Sequence, residues 1–191
     1  MIFEQSSYYR EKFVKVTCSG ATVSDIEFEA CVFTDCSFSD CTFTHCRFIN
    51  CTFDRCSISA MVPAGSGFVD VQFIRSKIIG IDWTKAQRIQ DIHFTESQIS
   101  YSNFRMLKLV GITIVGCESK ETDFTGADLS GGVFTGTDFD RSIFSHTTLT
   151  KADFRRARNY YIDTRINDVR RARFSLPEAL SLFDGLMVTI E

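Results

Sequence analysis

Eight cysteines fall in a chain of 191 residues, and six of them lie in the run CVFTDCSFSDCTFTHCRFINCTFDRC from Cys31 to Cys56. Thiols at that density raise the question of a metal site. Metal ligation calls for pairs such as C-x2-C converging with histidines or further cysteines on one ion. Here the spacing is C-x4-C throughout the run. Later in the chain the same place in the five-residue period is filled by Ala127, Gly132, Thr137, Ser142, Thr147 and Ala152. That place asks for a small side chain, and free cysteine packs as a small hydrophobe. The three histidines, His45, His93 and His146, stand at unrelated points of the period. No Ser-His-Asp set, phosphate loop or metal spacing accompanies them. The sequence thus predicts no metal, no cofactor and no enzyme.

The element that positions these residues must itself repeat every fifth residue. Five residues advance an α-helix by about 500°, so successive phenylalanines would stand roughly 140° apart and share no face. In a straight strand, positions five apart point to opposite sides. The chain must therefore turn once per repeat, directing the phenylalanine and the residue two before it inward, in an all-β solenoid whose rungs stack like strands. Counted by fives, the central position runs from Phe13 through Phe28, Phe33, Phe38, Phe43, Phe48, Phe53, Ile58, Pro63, Phe68 and Phe73 to Trp83. A second run, one residue out of phase, leads from Phe94 through Phe104, Ile114, a polar Ser119 and Phe124 to Phe154. Residues 1–174 read as this array and residues 175–191 as a separate tail.

Composition agrees with one solenoid. Hydrophobic residues make up 44% of the chain, with nineteen phenylalanines and only two prolines, enough to bury a long column. The net charge of -3 predicts no direct nucleic-acid binding. Reduced thiols, no signal peptide and no long apolar run point to a cytoplasmic, bacterial-type protein without a membrane segment.

Two breaks interrupt the period. In ISAMVPAGSGF (Ile58 to Phe68) the register survives, but Pro63 takes a central position between turn-forming neighbours, which predicts a bulge or irregular coil. In WTKAQRIQDIHF (Trp83 to Phe94) the interval is eleven residues rather than ten. One extra residue is expected to protrude there. A loop from Thr84 to His93, carrying Lys85, Gln87 and Arg88, is then either a recognition element or a tolerated insertion.

In the tail, Ser175 and Glu178 form a capping-box pattern with Pro177 in the first turn and Gly185 as a C-cap, predicting a helix from about Leu176 to Asp184. LMVTIE then alternates as a strand. This apolar segment either caps the open end of the column or joins two chains. A homodimer through Leu176, Leu180, Phe183, Leu186, Val188 and Ile190 is the favoured expectation.

The repeats TDFTGADLSGGVF and KADF resemble the A(D/N)LXX pattern of the pentapeptide-repeat family, with a register that holds from about Phe13 to Arg158. The resemblance implies a right-handed quadrilateral β-helix of twenty residues per coil. ARFSLPEALSLF, NYYIDTRINDVRRARF and IDWTKAQ are similar to the subgroup that includes the albicidin-resistance and Qnr proteins. Members of that subgroup are dimeric rods, joined at their C-terminal ends, that bind DNA gyrase. The resemblance implies a non-enzymatic DNA mimic that protects a type II topoisomerase from an albicidin-like or quinolone-like poison. A general interaction scaffold, or an inhibitor of another partner acting through the Thr84–His93 loop, is the alternative.

With rungs about 4.8 Å apart, about seven coils would span on the order of 34 Å. Residues twenty apart become stacked neighbours, which predicts pairs Glu27–Arg47, Asp35–Arg55, Lys108–Asp128, Lys120–Asp140 and Glu121–Arg141, with His45 over Asp25. Such pairs are worth roughly 0.2 to 1 kcal/mol each. Left over as candidate partner-binding acids are Glu29, Asp40, Asp123, Asp153 and the like-charged stack of Glu118 beneath Asp138. Arg155 to Arg173 forms a basic segment of seven arginines against Asp163 and Asp168. It is expected to serve structure first, pairing with acids across a dimer interface, or else to contact an acidic partner.

Overall fold

A computed structural model describes residues 3–186. The chain winds into a parallel, right-handed, quadrilateral β-helix. Ser7 pairs with Glu27, Glu27 with Arg47 and Arg47 with Gly67, each twenty residues on, so five residues make a side and four sides a coil. In the first coils each side is a three-residue strand, such as Val32–Thr34, Ser37–Ser39 and Thr42–Thr44. The middle residue of each points inward and its two neighbours point outward. The four faces are centred, from the bottom upward, on Tyr8, Phe28 and Phe48; on Phe13, Phe33 and Phe53; on Cys18, Phe38 and Ile58; and on Val23 and Phe43. Nine rungs on the second face, from Lys12 to Arg173, are paired throughout and span about 38 Å at about 4.8 Å per rung.

Each corner is turned by the residue two past the central one, which adopts a left-handed backbone: φ is 54° at Asp35, 53° at Asp40 and 52° at His45. Glycine tolerates this best. At Gly65 a Cβ would also meet His45 Cδ2 at 2.7 Å, so any other residue there must displace that exposed ring.

The interior is one column of apolar side chains. In-register pairing stacks equivalent rings face to face along the axis, at 4.8 Å for Phe13–Phe33, 4.5 Å for Phe33–Phe53 and 5.0 Å for Phe53–Phe73. Rings on adjacent faces meet edge-on, as Phe28 meets Phe33 at 5.4 Å. Both geometries suit the aromatic quadrupole.

The breaks in the period are gentler than expected. At Ile58–Phe68 no irregular coil forms: Thr42 still pairs with Val62, and a turn closed by Ser66 N–H on Pro63 C=O returns the chain to register. The eleven-residue interval becomes an offset of twenty-one, with Gly67 paired to Arg88 and Lys77 to Gln98. The extra residue does not protrude as a loop. It is absorbed in a 3-10 turn, Trp83–Lys85, where Asp82 Oδ1 accepts from the Thr84 N–H at 3.2 Å and hydroxyl at 2.6 Å. Trp83 is fully buried, and the expected loop beyond it is the strand Arg88–Thr95.

The tail departs from expectation as well. A 3-10 helix runs Glu178–Leu186 and passes through Gly185, in place of a helix over Leu176–Asp184 capped by that glycine. A residue before proline disfavours helical backbone, which keeps Leu176 out. Ser175 Oγ does not cap the helix but accepts from Arg156 N–H at 2.8 Å across the rung. The expected strand over 186–191, with Val188 and Ile190, lies outside the described residues, as does the side chain of Leu186.

Candidate functional site

The small inward position has a specific task. Five of the buried thiols donate to the carbonyl of a central residue one coil below, among them Cys51 Sγ to Phe28 O at 3.2 Å, Cys36 to Phe13 O and Cys56 to Phe33 O at 3.4 Å. Where the cysteine is replaced, a hydroxyl or amide does the same: Ser66 to Phe43 O at 2.8 Å, Thr137 to Ile114 O at 2.7 Å, Thr147 to Phe124 O at 3.0 Å and Asn167 Nδ2 to Phe144 O at 3.0 Å. Burial pushes the thiols of Cys51 and Cys56 from 9.0 up to about 12, and that of Cys117 to about 11. Neutral thiols turned toward carbonyls are poor metal ligands and poor nucleophiles. Among the described residues no cluster of His, Cys, Asp or Glu is arranged to hold a metal ion.

The aspartate of the later repeats also has a structural task that sequence reading missed. At the residue before the central one, Asp123 Oδ1 accepts from Thr125 N–H at 2.9 Å, Asp128 from Ser130 N–H at 3.1 Å and Asp138 from Asp140 N–H at 3.1 Å. These bonds cap the corner in the manner of an Asx turn. The signal was present in the recurring A(D/N)L triplet, whose polar residue always stands two before a turn N–H.

This changes the candidate acid patch. Glu118 and Asp138 are rung neighbours as expected, but they are not two free acids. Asp138 is 7% exposed; Asn159 Nδ2 donates to it at 2.8 Å and Arg158 Nε lies 3.5 Å away. Burial opposes its charge, yet the Asn159 amide, the Asp140 N–H and Arg158 outweigh it and hold the carboxyl below its ordinary value. Glu118 lies between Gln98, 3.3 Å away, and Lys120, 4.0 Å away. Asp123 is also paired with Arg105 at 3.2 Å. Glu29 is half-buried in its strand, and Asp40 is exposed at a corner. The four faces thus spread these five acids around the rod instead of gathering them.

The expected rung pairs Glu27–Arg47, Asp35–Arg55 at 2.9 Å, Glu121–Arg141 at 3.1 Å and Asp25–His45 at 3.8 Å are present. Lys108–Asp128 and Lys120–Asp140 are neighbours without an ion pair; Lys120 turns to Glu118 instead. Four of the seven arginines of the basic segment, Arg155, Arg158, Arg165 and Arg170, are paired within the chain. Arg155, Arg165 and Arg170 each fold back on the aspartate two residues earlier at 2.6 Å. The Arg165 guanidinium draws the Asp163 carboxyl down to about 2. Asp153, expected to be free, is Arg155's partner, and its carboxyl is likewise lowered.

Lys85, Gln87 and Arg88 stand together beside an irregularity of the first face. Among the described residues no backbone hydrogen bond joins Arg88–Ile92 to Lys108–Ile112 in the next coil, although the ladder is intact below, at Gly67–Arg88, and resumes at His93–Thr113. A groove of about 320 Å³ occupies the gap, lined by Arg88, Ile89, Asp91, Lys108, Leu109 and Val110 among others. At the inward position where lower and higher coils place Ser66 and Ala127, these two coils place Gln87, which is exposed, and Leu107, which is half-buried. Arg88 beneath Lys108 sets like charges across one rung, a signal the sequence carried in two bases twenty residues apart.

The tail presents Leu176, Leu180 and Phe183 to solvent at 75%, 43% and 45% exposure, while Leu182 packs on the end of the core. No helix among the described residues is long and apolar enough to cross a membrane.

One family model, described as a pentapeptide repeat region, matches residues 26–104, and another, described as pentapeptide repeats (8 copies), matches residues 120–158. No curated protein matches the sequence significantly. A trypsin-treated form of QnrB1, a plasmid-mediated fluoroquinolone resistance protein, superposes with a TM-score of 0.68 at 17% identity, covering 94% of this chain and 100% of that one. A second trypsin-treated form gives 0.52 at 17% identity, covering 94% and 99%. At such identity the likeness is one of fold.

Proposed function

Because this chain belongs to the pentapeptide-repeat family, we propose that it is a non-enzymatic protein that binds a type II topoisomerase, DNA gyrase in the first instance, and protects it from a poison of the albicidin or quinolone kind by occupying the place of a DNA segment. The observation that carries this reading is the rod itself: one coil section repeated over nine rungs, about 38 Å of near-constant cross-section in a single chain. The fold it shares with a fluoroquinolone resistance protein supports the same reading.

Magnitudes decide what kind of mimicry this is. A duplex carries one charge per about 1.7 Å, or roughly 22 over such a length. The rod's net charge is -3, and most of its acids are paired or capping turns. Recognition therefore rests on shape, with Glu29, Asp40 and Glu118 as local acidic contacts and Asp123, Asp138 and Asp153 as scaffold. The exposed Leu176, Leu180 and Phe183 fit a homodimer joined at the C-terminal ends, which doubles the rod.

The test is gyrase supercoiling at rising protein concentration, with and without albicidin or a fluoroquinolone. Rescue of supercoiling at concentrations below those that inhibit the enzyme is expected; neither rescue nor inhibition overturns the reading. Glu29→Lys, Asp40→Lys and Glu118→Lys together should weaken competition with DNA several-fold. Leu180→Glu with Phe183→Glu should halve the mass seen by sedimentation equilibrium.

A second reading, an interaction scaffold, is favoured by the interrupted ladder around Arg88, and its contact would be a groove rather than a loop.

A further inference from the structure

The gap on the first face is an unusual feature for a β-helix. In every neighbouring coil this face makes the same inter-rung bonds: Leu129 N–H to Thr148 O and Asp128 N–H to Leu107 O, both within 2.9 Å. The equivalent donors in the gap, on Ile89, Asp91 and Lys108, have no backbone acceptor among the described residues, and the carbonyls that would receive them have no backbone donor. Unpaired backbone polar groups on two facing strand edges are what an added strand satisfies. A rod whose other rungs are closed has left one rung open.

The lining says what kind of strand fits. Arg88 and Lys108 flank the gap on the outer position before the central residue, and both are exposed. An adjoining depression of about 440 Å³ is lined by Arg47, Ile49, Gly67, Val69, Gln87 and Arg88, without a carboxylate. Asp91 is the one acid in the gap and is held at its corner by Gln90 Nε2 at 3.2 Å. On a chain with a net charge of -3 this is a local concentration of positive charge. The central positions bring half-buried Ile89 and buried Leu109 to the gap, and Val110 lines it beside them at 52% exposure.

We propose that the open rung between Arg88–Ile92 and Lys108–Ile112 is an acceptor slot for an extended peptide segment of a partner protein, with an acidic side chain between Arg88 and Lys108 and the next, apolar side chain turned inward between Ile89 and Leu109. The slot does not depend on the topoisomerase reading. Backbone bonds to both edges supply affinity, and the acidic–apolar order supplies selectivity.

The test uses the full-length protein and a displayed library of random octapeptides. Selected peptides are synthesised with a fluorophore, titrated by polarisation, and followed by amide hydrogen exchange. The expected result has three parts. In the free protein the amides of Ile89 and Lys108 exchange at least tenfold faster than that of Phe48; selected peptides carry Asp or Glu directly before an aliphatic residue; and binding slows exchange at Ile89 and Lys108. Arg88→Glu with Lys108→Glu, both at exposed positions, should weaken binding at least tenfold while the thermal transition stays in place. Val110→Asp is a second variant, reducing affinity through the apolar flank. The proposal is overturned if no octapeptide binds, if the charge reversal leaves affinity unchanged, or if the amides of Ile89 and Lys108 are already protected in the free protein. Protection that grows with protein concentration alone would mean that a second copy fills the slot, and would also overturn it.

Discussion

The coils below Ile79 and those above Tyr101 build the same four corners in different ways. Corner residues are left-handed in both; in the lower coils each side is a strand and cohesion comes from sulfur and rings: thiols donate weakly to carbonyls while phenylalanines stack at 4.5 to 5.1 Å along the axis. In the upper coils the sides shrink to single bridges, such as Asp128↔Thr148 and Asp138↔Arg158. The corners there are closed by a local backbone bond, Ala127 N–H to Phe124 O and Gly132 N–H to Leu129 O at 3.0 Å each. They are capped by aspartates, several of which also hold an arginine. One section holds itself together mainly across rungs and through its core, the other partly within each corner. Both give the same rod, so the five-residue geometry is what the fold requires and the means of stabilising it are interchangeable.

Changing pH should separate the two regions most strongly. The buried thiols are raised above 9.0, Cys51 and Cys56 to about 12, so their contribution is fully present below pH 9 and is lost as pH rises toward 12. Asp163 is lowered from 3.8 to about 2, so its contribution is present above about pH 4 and lost as pH falls toward 2, with Asp153 and Asp168 moving in the same direction. Urea unfolding at pH 3, 7 and 10.5 measures both arms. Cys51→Ser with Cys56→Ser should flatten the alkaline loss, and Asp163→Asn should reduce the acid loss. If either substitution leaves its arm unchanged, the assignment of that arm to these groups is wrong.

Removing a ring tests the stack. Phe53 lies between Phe33 and Phe73 at 4.5 and 5.0 Å, and Phe53→Ala should cost about 3–5 kcal/mol. Leu129→Ala in the upper coils should fall at the low end of about 2–5 kcal/mol, since corner bonds there persist without the side chain. Equal losses in denaturant titrations would remove the distinction.

The inward donors differ by a smaller amount. Thr137→Val leaves Ile114 O and the Cys117 N–H, 2.7 and 3.2 Å from the hydroxyl, without partners, and should cost about 1–3 kcal/mol. Cys51→Ser keeps a donor where Ser66 and Ser76 already serve, and should cost no more than about 1 kcal/mol. The smallest effect belongs to the corners. Ala60 has φ 49° and Lys151 has φ 61°, and glycine at either should stabilise by about 0.5–1 kcal/mol, the left-handed penalty exceeding the added chain entropy. A gain at Lys151 alone would indicate that strand pairing below already absorbs the strain.

Much of this was legible beforehand. The period identified the solenoid and the buried column, and counting by twenty identified Glu27–Arg47, Asp35–Arg55 and Glu121–Arg141 as neighbours. The candidate site was less legible. Asp138 counted as a surface charge because its task, capping a turn N–H two residues on, exists only once the corner has closed. Arg155 looked available to a partner because the reach of its guanidinium back to Asp153 depends on rotamer and local turn. The insertion near Trp83 was expected to protrude because spacing alone cannot show that an indole will be drawn into the column.

Sequence alone determined the repeat, the inward and outward positions and the rung-to-rung neighbours, because these follow from counting residues along a chain that must turn every five. Tertiary structure decided which charges are free, where the inserted residue goes and which rung stays open. Those outcomes depend on distances of a few ångströms between coils and on which donor reaches a carboxylate first.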